Sequence, residues 1–212
     1  MLSRWLAPLS SRKPITRSFI MVTLQQLKTL LAISHSEEIM RRYFVVNGFD
    51  GALAILGLMM GFYVSEQVEL AVVITSCLAT ALALGMSGIS SAYISEAAER
   101  RRALMKLEEA MVTSLDESHH ARAAMLIPWL VALVNGMAPL IFALIIISPL
   151  WMARSGLVLP VDALPMAMGV AISIIFLLGA FLGRVGGTFW LWSGLRSIAV
   201  ALLTVGLIYL IG

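Results

Sequence analysis

The chain contains a single cysteine, Cys77, so it can form no internal disulfide and no cysteine-based metal site. Charge is also scarce, because Asp, Glu, Lys and Arg make up 13% of the 212 residues, against about a quarter in ordinary soluble domains. The apolar share is 60% and the mean hydropathy is +0.94. This composition excludes a typical soluble domain and indicates an integral membrane protein.

Five apolar runs are long enough to cross a hydrocarbon layer about 30 Å thick, which takes about 20 helical residues. Each run is bounded by charge, proline or glycine, and the runs cover residues 43–64, 70–94, 126–152, 164–183 and 189–211. Transmembrane β-strands would alternate polar and apolar residues over about ten positions, whereas these runs are continuous. The sequence therefore predicts an all-α domain over residues 41–212 with five transmembrane helices.

Residues 1–40 lack the apolar core and small-residue cleavage site of a signal peptide. Within residues 18–34, apolar side chains recur at helical spacing beside polar ones: Ile20, Leu24, Leu27 and Leu31 against Gln25, Gln26 and Lys28. This pattern predicts an amphipathic helix lying in the membrane interface. A sixth span is the less favoured alternative, because three polar residues would then sit near its middle.

Lysine and arginine are distributed unevenly between the two sides predicted for the membrane. Seven lie in residues 1–42 and five in residues 95–125, whereas the links 65–69 and 153–163 contain only Arg154. The positive-inside rule then predicts a cytoplasmic amino terminus and a carboxyl terminus on the opposite side, with the plasma membrane as the expected location. The net charge of +3 is expected to reflect this topology and anionic lipid rather than nucleic acid.

Asp50 is an unusual residue for an apolar run. It follows Arg42 by eight residues, which places it about 12 Å along a helix that enters the membrane there. A carboxylate at that depth is costly and usually faces a cavity or a partner, so Asp50 is a functional-site candidate; a protonated, hydrogen-bonded Asp50 is the alternative. Asn47 shares its helical face, as do Gly57 and Gly61, whose spacing predicts close helix packing.

Two further runs contain candidates for a polar path, and a third contains candidate packing positions. A small and hydroxylated stripe in the second run consists of Ser76, Thr80, Ala83, Ser87 and Ser91. Met86 lies beside it and offers a thioether to a soft or borderline metal, although ordinary packing also explains such a residue. Asn135 stands near Pro139 in the third run, and a polar group beside a kink indicates a lined cavity. Gly179 and Gly183 in the fourth run are predicted packing and hinge positions.

Residues 95–125 are predicted to form a charged helical insert on the cytoplasmic side. Its candidate metal ligands are Glu96, Glu99, Glu108, Glu109, Asp116, Glu117 and His120. Carboxylates combined with imidazole suit Fe²⁺, Mn²⁺ or Zn²⁺. A solvated charged helix face is the alternative. Glu96 and Glu99 differ in position, since they stand at the mouth of the second span, where they could collect cations.

Several segments resemble the vacuolar iron transporter family. VVNGFDGALAILGLMMG is similar to its first-span signature, in which Asn or Ser and then Asp-Gly precede a glycine-punctuated apolar run. The resemblance continues in SGISSAYISEAAERR, HHARAAMLIPWLVALVNGMAPLI and LRSIAVALLTVGLIYLIG, and so touches most of residues 41–212. It implies that family's five-helix bundle, export of Fe²⁺ or Mn²⁺ from the cytosol in exchange for protons, and a homodimer with the pathway at the subunit interface. For Asp50 it implies metal binding or proton exchange within that pathway.

The chain departs from the family pattern in two respects. Tyr93 and Ser95 match the Glu-Tyr-x-Ser part of the second-span motif, but Ala92 occupies the place of the glutamate. Glu96 or Glu99, one helical turn or so further on, is the candidate substitute. The cytoplasmic connection is also shorter than the family's glutamate-rich domain. The sequence therefore predicts a divergent, prokaryotic-type member.

The predicted function is transport of divalent transition-metal cations, with Fe²⁺ or Mn²⁺ as substrate and no permanently bound cofactor. The predicted pathway residues are Asp50, Asn47, Met86 and Asn135. An enzyme is not expected, because all three histidines lie outside the predicted spans and the sequence contains no His-Glu-x-x-His motif. A membrane scaffold or metal sensor that uses the charged helix to bind a partner remains the alternative.

Overall fold

The architecture is that of a helical membrane bundle. In a computed structural model of the chain, the described residues are 36–65, 69–112, 118–158 and 160–211. They form five helices: α1 (Ser36–Val64), α2 (Leu70–Met111), α3 (His119–Arg154), α4 (Ala163–Val185) and α5 (Trp190–Ile211). All five are long and apolar enough to cross a membrane, and these ranges contain no strand, which confirms the predicted fold class. The predicted amphipathic helix over residues 18–34 lies outside the described residues.

Helices α2 and α3 are longer than a membrane crossing requires. α2 has 42 residues and α3 has 36, which makes them about 63 Å and 54 Å long at about 1.5 Å per residue. Both extend beyond the bundle on the side where α1 begins. We call this the basic side, since it carries Arg41, Arg42, Arg100, Arg101, Arg102, Lys106, Arg122 and Arg184. The segment 95–125 is thus built largely as unbroken continuations of α2 and α3.

The facing ends of these two long helices have recognisable end signals. α2 ends where Val112 adopts a left-handed conformation, with φ of 53°, and its N–H bonds to the carbonyl of Glu108. α3 begins after Ser118, whose hydroxyl accepts a hydrogen bond from the Ala121 N–H at 3.1 Å. A serine in this position satisfies one of the otherwise unpaired donors at a helix start.

The main apolar core lies within the membrane and is built by α1, α3 and α4, with part of α2. Its largest fully buried side chains are Ile55, Leu56, Met59, Ile146, Ile147, Leu150, Ile175 and Val73. A second, smaller cluster lies towards the basic side and joins the start of α1 to α2 and α3; its buried members are Ala92, Ala123, Ile127, Val131 and Ala132. The projecting helices are therefore anchored to the bundle by apolar packing.

Glycines set the close approaches between helices. A Cβ on Gly51 would stand 2.6 Å from the Cβ of Pro139, so α1 and α3 can touch only because that atom is missing. Gly179 and Gly183 lie against Ser197 and Ser193 of α5. Gly61 differs, because a Cβ there would meet no atom within 4 Å. The close packing predicted at Gly61 thus has no counterpart in the described part of the protomer.

Candidate intramembrane site

A polar junction joins three helices near the basic side of the membrane. The Asn47 side-chain nitrogen on α1 donates to the backbone carbonyl of Asn135 on α3 at 3.0 Å. The Asn135 side-chain nitrogen donates in turn to the carbonyl of Gly88 on α2 at 2.9 Å. We call Asn47, Gly88 and Asn135 the polar junction. Two residues predicted separately as pathway residues are therefore hydrogen-bonded neighbours.

Glycine makes this junction possible. A Cβ on Gly88 would lie 2.7 Å from the side-chain nitrogen of Asn47 and 3.3 Å from that of Asn135. On α3, a Cβ on Gly136, the residue after Asn135, would overlap Ile89 and lie 2.5 Å from the carbonyl oxygen of Gly85 on α2. Small residues let the backbones of transmembrane helices approach closely enough for side-chain amides to reach across. The sequence analysis did not identify Gly85, Gly88 or Gly136.

One acceptor at the junction is left open. Asn135 is 4% exposed, and its side-chain oxygen has no hydrogen-bond partner among the described residues. Leaving a buried acceptor unpaired costs about 1–3 kcal/mol. Native proteins usually keep an unpaired buried group only where it has a further role, such as binding an ion or a partner in another conformation.

Asp50 lies next to the junction but faces away from the core. It follows Asn47 by one turn of α1, about 4.5 Å deeper in the membrane, and its side chain is exposed on the protomer surface. Helix α5 covers the same face of α1 two turns further on, where a Cβ on Gly57 would lie 3.2 Å from Ile208. The described part of the protomer therefore leaves the carboxylate uncovered at a depth where lipid would otherwise surround it.

Met86 does not join the polar junction. It stands two residues before Gly88, about 200° around the helix, and is 61% exposed. The adjoining stripe is divided in the same way, since Ser76 and Thr80 are half-buried while Ala83, Ser87 and Ser91 are exposed. Within one protomer, Met86 and Asn135 thus face different surroundings.

The two candidate substitutes for the missing glutamate differ in their environment. Glu96 lies one turn beyond Ala92 on the same face of α2, is 8% exposed, and pairs with Arg100 at 3.5 Å. Glu99 is exposed to solvent on another face. Ala92 itself is buried against the second apolar cluster. The buried carboxylate on this face of α2, that of Glu96, therefore lies one turn nearer the basic side than position 92, where the family motif has its glutamate.

The predicted metal ligands are not assembled into one site. Among the described residues there is no group of three or more Asp, Glu, His and Cys side chains able to hold an ion. Asp50 and Glu96 stand about 16 Å apart along the bundle axis, far beyond ligand distances of about 2–2.6 Å. Glu108 is half-buried and Glu109 exposed further along α2. Asp116, Glu117 and the side chain of His120 lie outside the described residues.

Comparisons with known proteins provide a relative but no activity. No family model matches the chain, and no solved structure matches it. A protein of Methanocaldococcus jannaschii, described as uncharacterized, is 27% identical over 173 residues. The match covers 80% of this chain and 87% of the relative, so the two have similar extents. The name of this relative gives no activity that could apply to the chain.

Arg196 is a second ionisable residue within a span, and the sequence analysis did not single it out. It lies on α5 six residues after Trp190, about 9 Å from the start of that helix. Its guanidinium carbon stands 5.5 Å from the ring centre of Trp192, one turn nearer the basic side. Long basic side chains near helix ends extend towards the interface. An arginine within the predicted apolar run 189–211 was the feature of the sequence that could have identified this residue.

Restoring a glutamate at position 92 is expected to destabilise the protein. Ala92 is 2% exposed, so the new carboxylate of Ala92→Glu would be buried without a partner, one turn from the carboxylate of Glu96. We expect a loss of about 3 kcal/mol, the order found for an uncompensated buried charge. Unfolding in detergent should show this loss, while Ala98→Glu on the exposed face of α2 should be nearly neutral. Equal stability of the two variants would contradict the buried placement of Ala92.

Proposed function

We propose that this protein is a homodimeric membrane transporter of divalent transition-metal cations, with Fe²⁺ or Mn²⁺ as substrate. Transport would run out of the cytosol in exchange for protons, with the basic side facing the cytoplasm. The resemblance of the first and second spans to vacuolar iron transporters motivates the choice of substrate. The position of Asp50 supports a transport function independently.

The exposure of Asp50 is the observation that carries the proposal. About 14 residues of α1 separate it from Val64, so the carboxylate lies some 21 Å from the far end of a span that crosses about 30 Å of hydrocarbon. An acidic side chain at such a depth faces a protein partner or a water-filled cavity rather than lipid. The surface around Asp50 is therefore the best candidate for an ion path in the assembled protein.

A second copy of the chain would supply the missing cover. Ala83, Ser87 and Ser91 expose a small, hydroxylated surface on α2 at a depth similar to that of Asp50. Small residues favour close helix association in membranes, and serine hydroxyls can bond across the contact. In this arrangement exposed Met86 would also face the partner, bringing a thioether towards the carboxylate.

The residues would then act in series along the pathway. Glu96, which is buried near the basic side and paired with Arg100, would receive the cation from the cytoplasm. Asp50 would bind it within the membrane, about one helical turn from the polar junction, where the open side-chain oxygen of Asn135 is a hard donor of the kind that Mn²⁺ accepts. Protonation of Asp50 would release the cation, which couples metal export to proton entry.

Ion flux in reconstituted vesicles tests this proposal directly. Vesicles containing the purified protein are loaded with a metal-sensitive dye, and Fe²⁺ or Mn²⁺ is added with and without a pH gradient. We expect saturable uptake that grows with the gradient and is absent with K⁺ alone. No uptake above that of protein-free vesicles for any divalent metal would contradict the transport function.

The dimer is tested by cross-linking through α2. Cys77 is fully buried, so it provides little background for oxidative cross-linking of a second cysteine. Ser87→Cys is expected to form a disulfide-linked dimer readily in membranes, whereas Leu203→Cys, which is exposed on α5, should not. Equal cross-linking of the two variants would argue against an interface built on α2.

A scaffold or metal sensor is the second candidate function. It is favoured by the projecting part of α2, which exposes Met105 and Met111 beyond the membrane. Saturable metal binding without any flux would decide for this function.

A further inference from the structure

A groove on the basic side lies between the start of α1 and the end of α4. A cavity of about 460 Å³ opens at the membrane boundary, lined by the first turns of α1 and, at the end of α4, by Phe181, Leu182, Val185 and the following Gly186. A second cavity of about 350 Å³ continues towards the membrane centre. The two cavities share Arg41, Val45 and Phe181. Together they form one continuous surface, which we call the α1–α4 groove.

The mouth of this groove is basic. Arg41 and Arg42 both line it and are exposed, and Glu38 is the one acidic residue among its described lining residues. Neither arginine forms an ion pair with a carboxylate in the described part of the chain, where the Arg42 guanidinium instead lies 5.8 Å from the Tyr43 ring centre. Two guanidinium groups at a membrane boundary form a suitable site for a phosphate group.

The inner part of the groove is apolar apart from Arg41 at its outer end. Phe44 and Phe142 form its floor, with ring centres 5.5 Å apart. Gly48 makes room for that floor, because a Cβ there would overlap the Phe142 ring. Leu177 and Phe181 of α4 form the outer wall and are 63% and 43% exposed. Among the described residues, Arg41 is the one polar side chain that lines this part.

We propose that the α1–α4 groove binds one anionic phospholipid from the leaflet on the basic side. The phosphate would lie between Arg41 and Arg42, and an acyl chain would run over Phe44 and Phe142. The dimensions agree with this occupant: the lining on α4 runs from Val185 to Ile174, about 16 Å along the helix. That length is about half of a 30 Å hydrocarbon layer, which is one leaflet.

The groove is separate from the proposed ion path. Arg41 lies about 180° around α1 from Asp50, and Arg42 lies about 80° around it but about 12 Å nearer the basic side. Lipid bound between the two arginines and over Phe44 would therefore contact neither Asp50 nor the exposed stripe on α2. Failure of metal transport would leave the lipid site untouched, and loss of the lipid site would leave transport chemistry unaffected.

Lipid retention by the full-length protein tests this inference. The protein is purified in detergent, stripped of native lipid, titrated with phosphatidylglycerol or phosphatidylcholine, and measured by native mass spectrometry. We expect one tightly held phosphatidylglycerol per protomer and at least about tenfold weaker binding of phosphatidylcholine. Glycerol phosphate should not compete at millimolar concentration, because it lacks the acyl chain. Equal binding of both lipids, or full competition by glycerol phosphate, would overturn the proposal.

A matched pair of variants locates the site. Arg41→Gln combined with Arg42→Gln should weaken phosphatidylglycerol binding by about fivefold per arginine, following the contribution of a basic residue near an anionic surface. Arg101→Gln combined with Arg102→Gln removes the same charge from the exposed, projecting part of α2 and should change nothing. Equal effects of the two pairs would mean that the lipid responds only to overall charge, which contradicts a site in the groove.

A photoreactive residue in place of Leu177 identifies the occupant directly. Benzoylphenylalanine at this position, in the full chain within phosphatidylglycerol membranes, should give a covalent adduct with the mass of that lipid. An adduct with residues 1–35 of the same chain, or with a second copy, would show that protein fills the groove and would overturn the proposal.

Discussion

Replacing Asp50 by asparagine is expected to abolish most metal transport while leaving the protein folded. The substitution preserves size and hydrogen bonding but removes the charge that binds the cation and accepts the proton. We expect Fe²⁺ and Mn²⁺ flux to fall by at least about tenfold, the lower end of losses seen when groups that support a metal site are removed. Folding should be retained, because Asp50 is exposed on the protomer and neutralising an intramembrane carboxylate removes a cost of insertion.

A second aspartate provides the control for this experiment. Asp162 precedes α4 on the side opposite the basic side, is exposed, and makes no side-chain capping bond. Asp162→Asn should therefore leave flux within about twofold of the unmodified protein, since surface substitutions away from structural features have small effects. Asp50→Glu, which retains the charge, should recover part of the flux. If Asp50→Asn transported metal as fast as the unmodified protein while Asp162→Asn was also active, Asp50 would not be the metal site, and the central claim of the transport proposal would be wrong.

Replacing Gly136 by alanine is expected to produce a large loss of stability. The added Cβ would overlap Ile89 and stand 2.5 Å from the Gly85 carbonyl oxygen on α2. The side chain could shift, but a backbone carbonyl in a helix cannot yield without separating α2 from α3. Such overpacking costs about 1–3 kcal/mol, occasionally more. The separation would also break the bond from Asn135 to Gly88, which adds to the loss.

Thermal unfolding in detergent, followed by size-exclusion chromatography, measures this effect. Gly169→Ala is the matched control, because Gly169 also lies within a helix but a Cβ there would meet no atom within 4 Å. Alanine is favoured over glycine in helices by about 1 kcal/mol, so the control should be unchanged or slightly stabilised. If Gly136→Ala were as stable as Gly169→Ala, the close contact of α2 with α3 would be wrong.

Helical periodicity explains which parts of the candidate site were predictable. Asn47 and Asp50 stand three residues apart on one helix, so their proximity follows from local geometry alone. The bond from Asn47 to Asn135 joins residues 88 positions apart, and that from Asn135 to Gly88 spans 47 positions. Periodicity identifies faces of single helices but carries no information on which faces meet.

The same limit explains where prediction and structure differ. Met86 was grouped with Asn135 because both lie in polar stretches of apolar runs, yet only the packing of α2 against α3 determines that Met86 faces outward. Gly57 and Gly61 are both glycines on the same face of α1, so the sequence alone does not distinguish them. The course of α5 decides that the first has a close neighbour, whereas the second has none among the residues that the structure describes.

The sequence by itself determined the five-helix membrane architecture and the presence of an acid within the first span. Both follow from the free energy of placing apolar or charged groups in hydrocarbon, which depends on composition along the chain. The tertiary structure alone decided that Asn135 is buried with an open oxygen, that Glu96 is enclosed, and that Asp50 lies uncovered. These properties depend on how closely helices approach, and Gly85, Gly88 and Gly136 set that distance through contacts that no single segment contains.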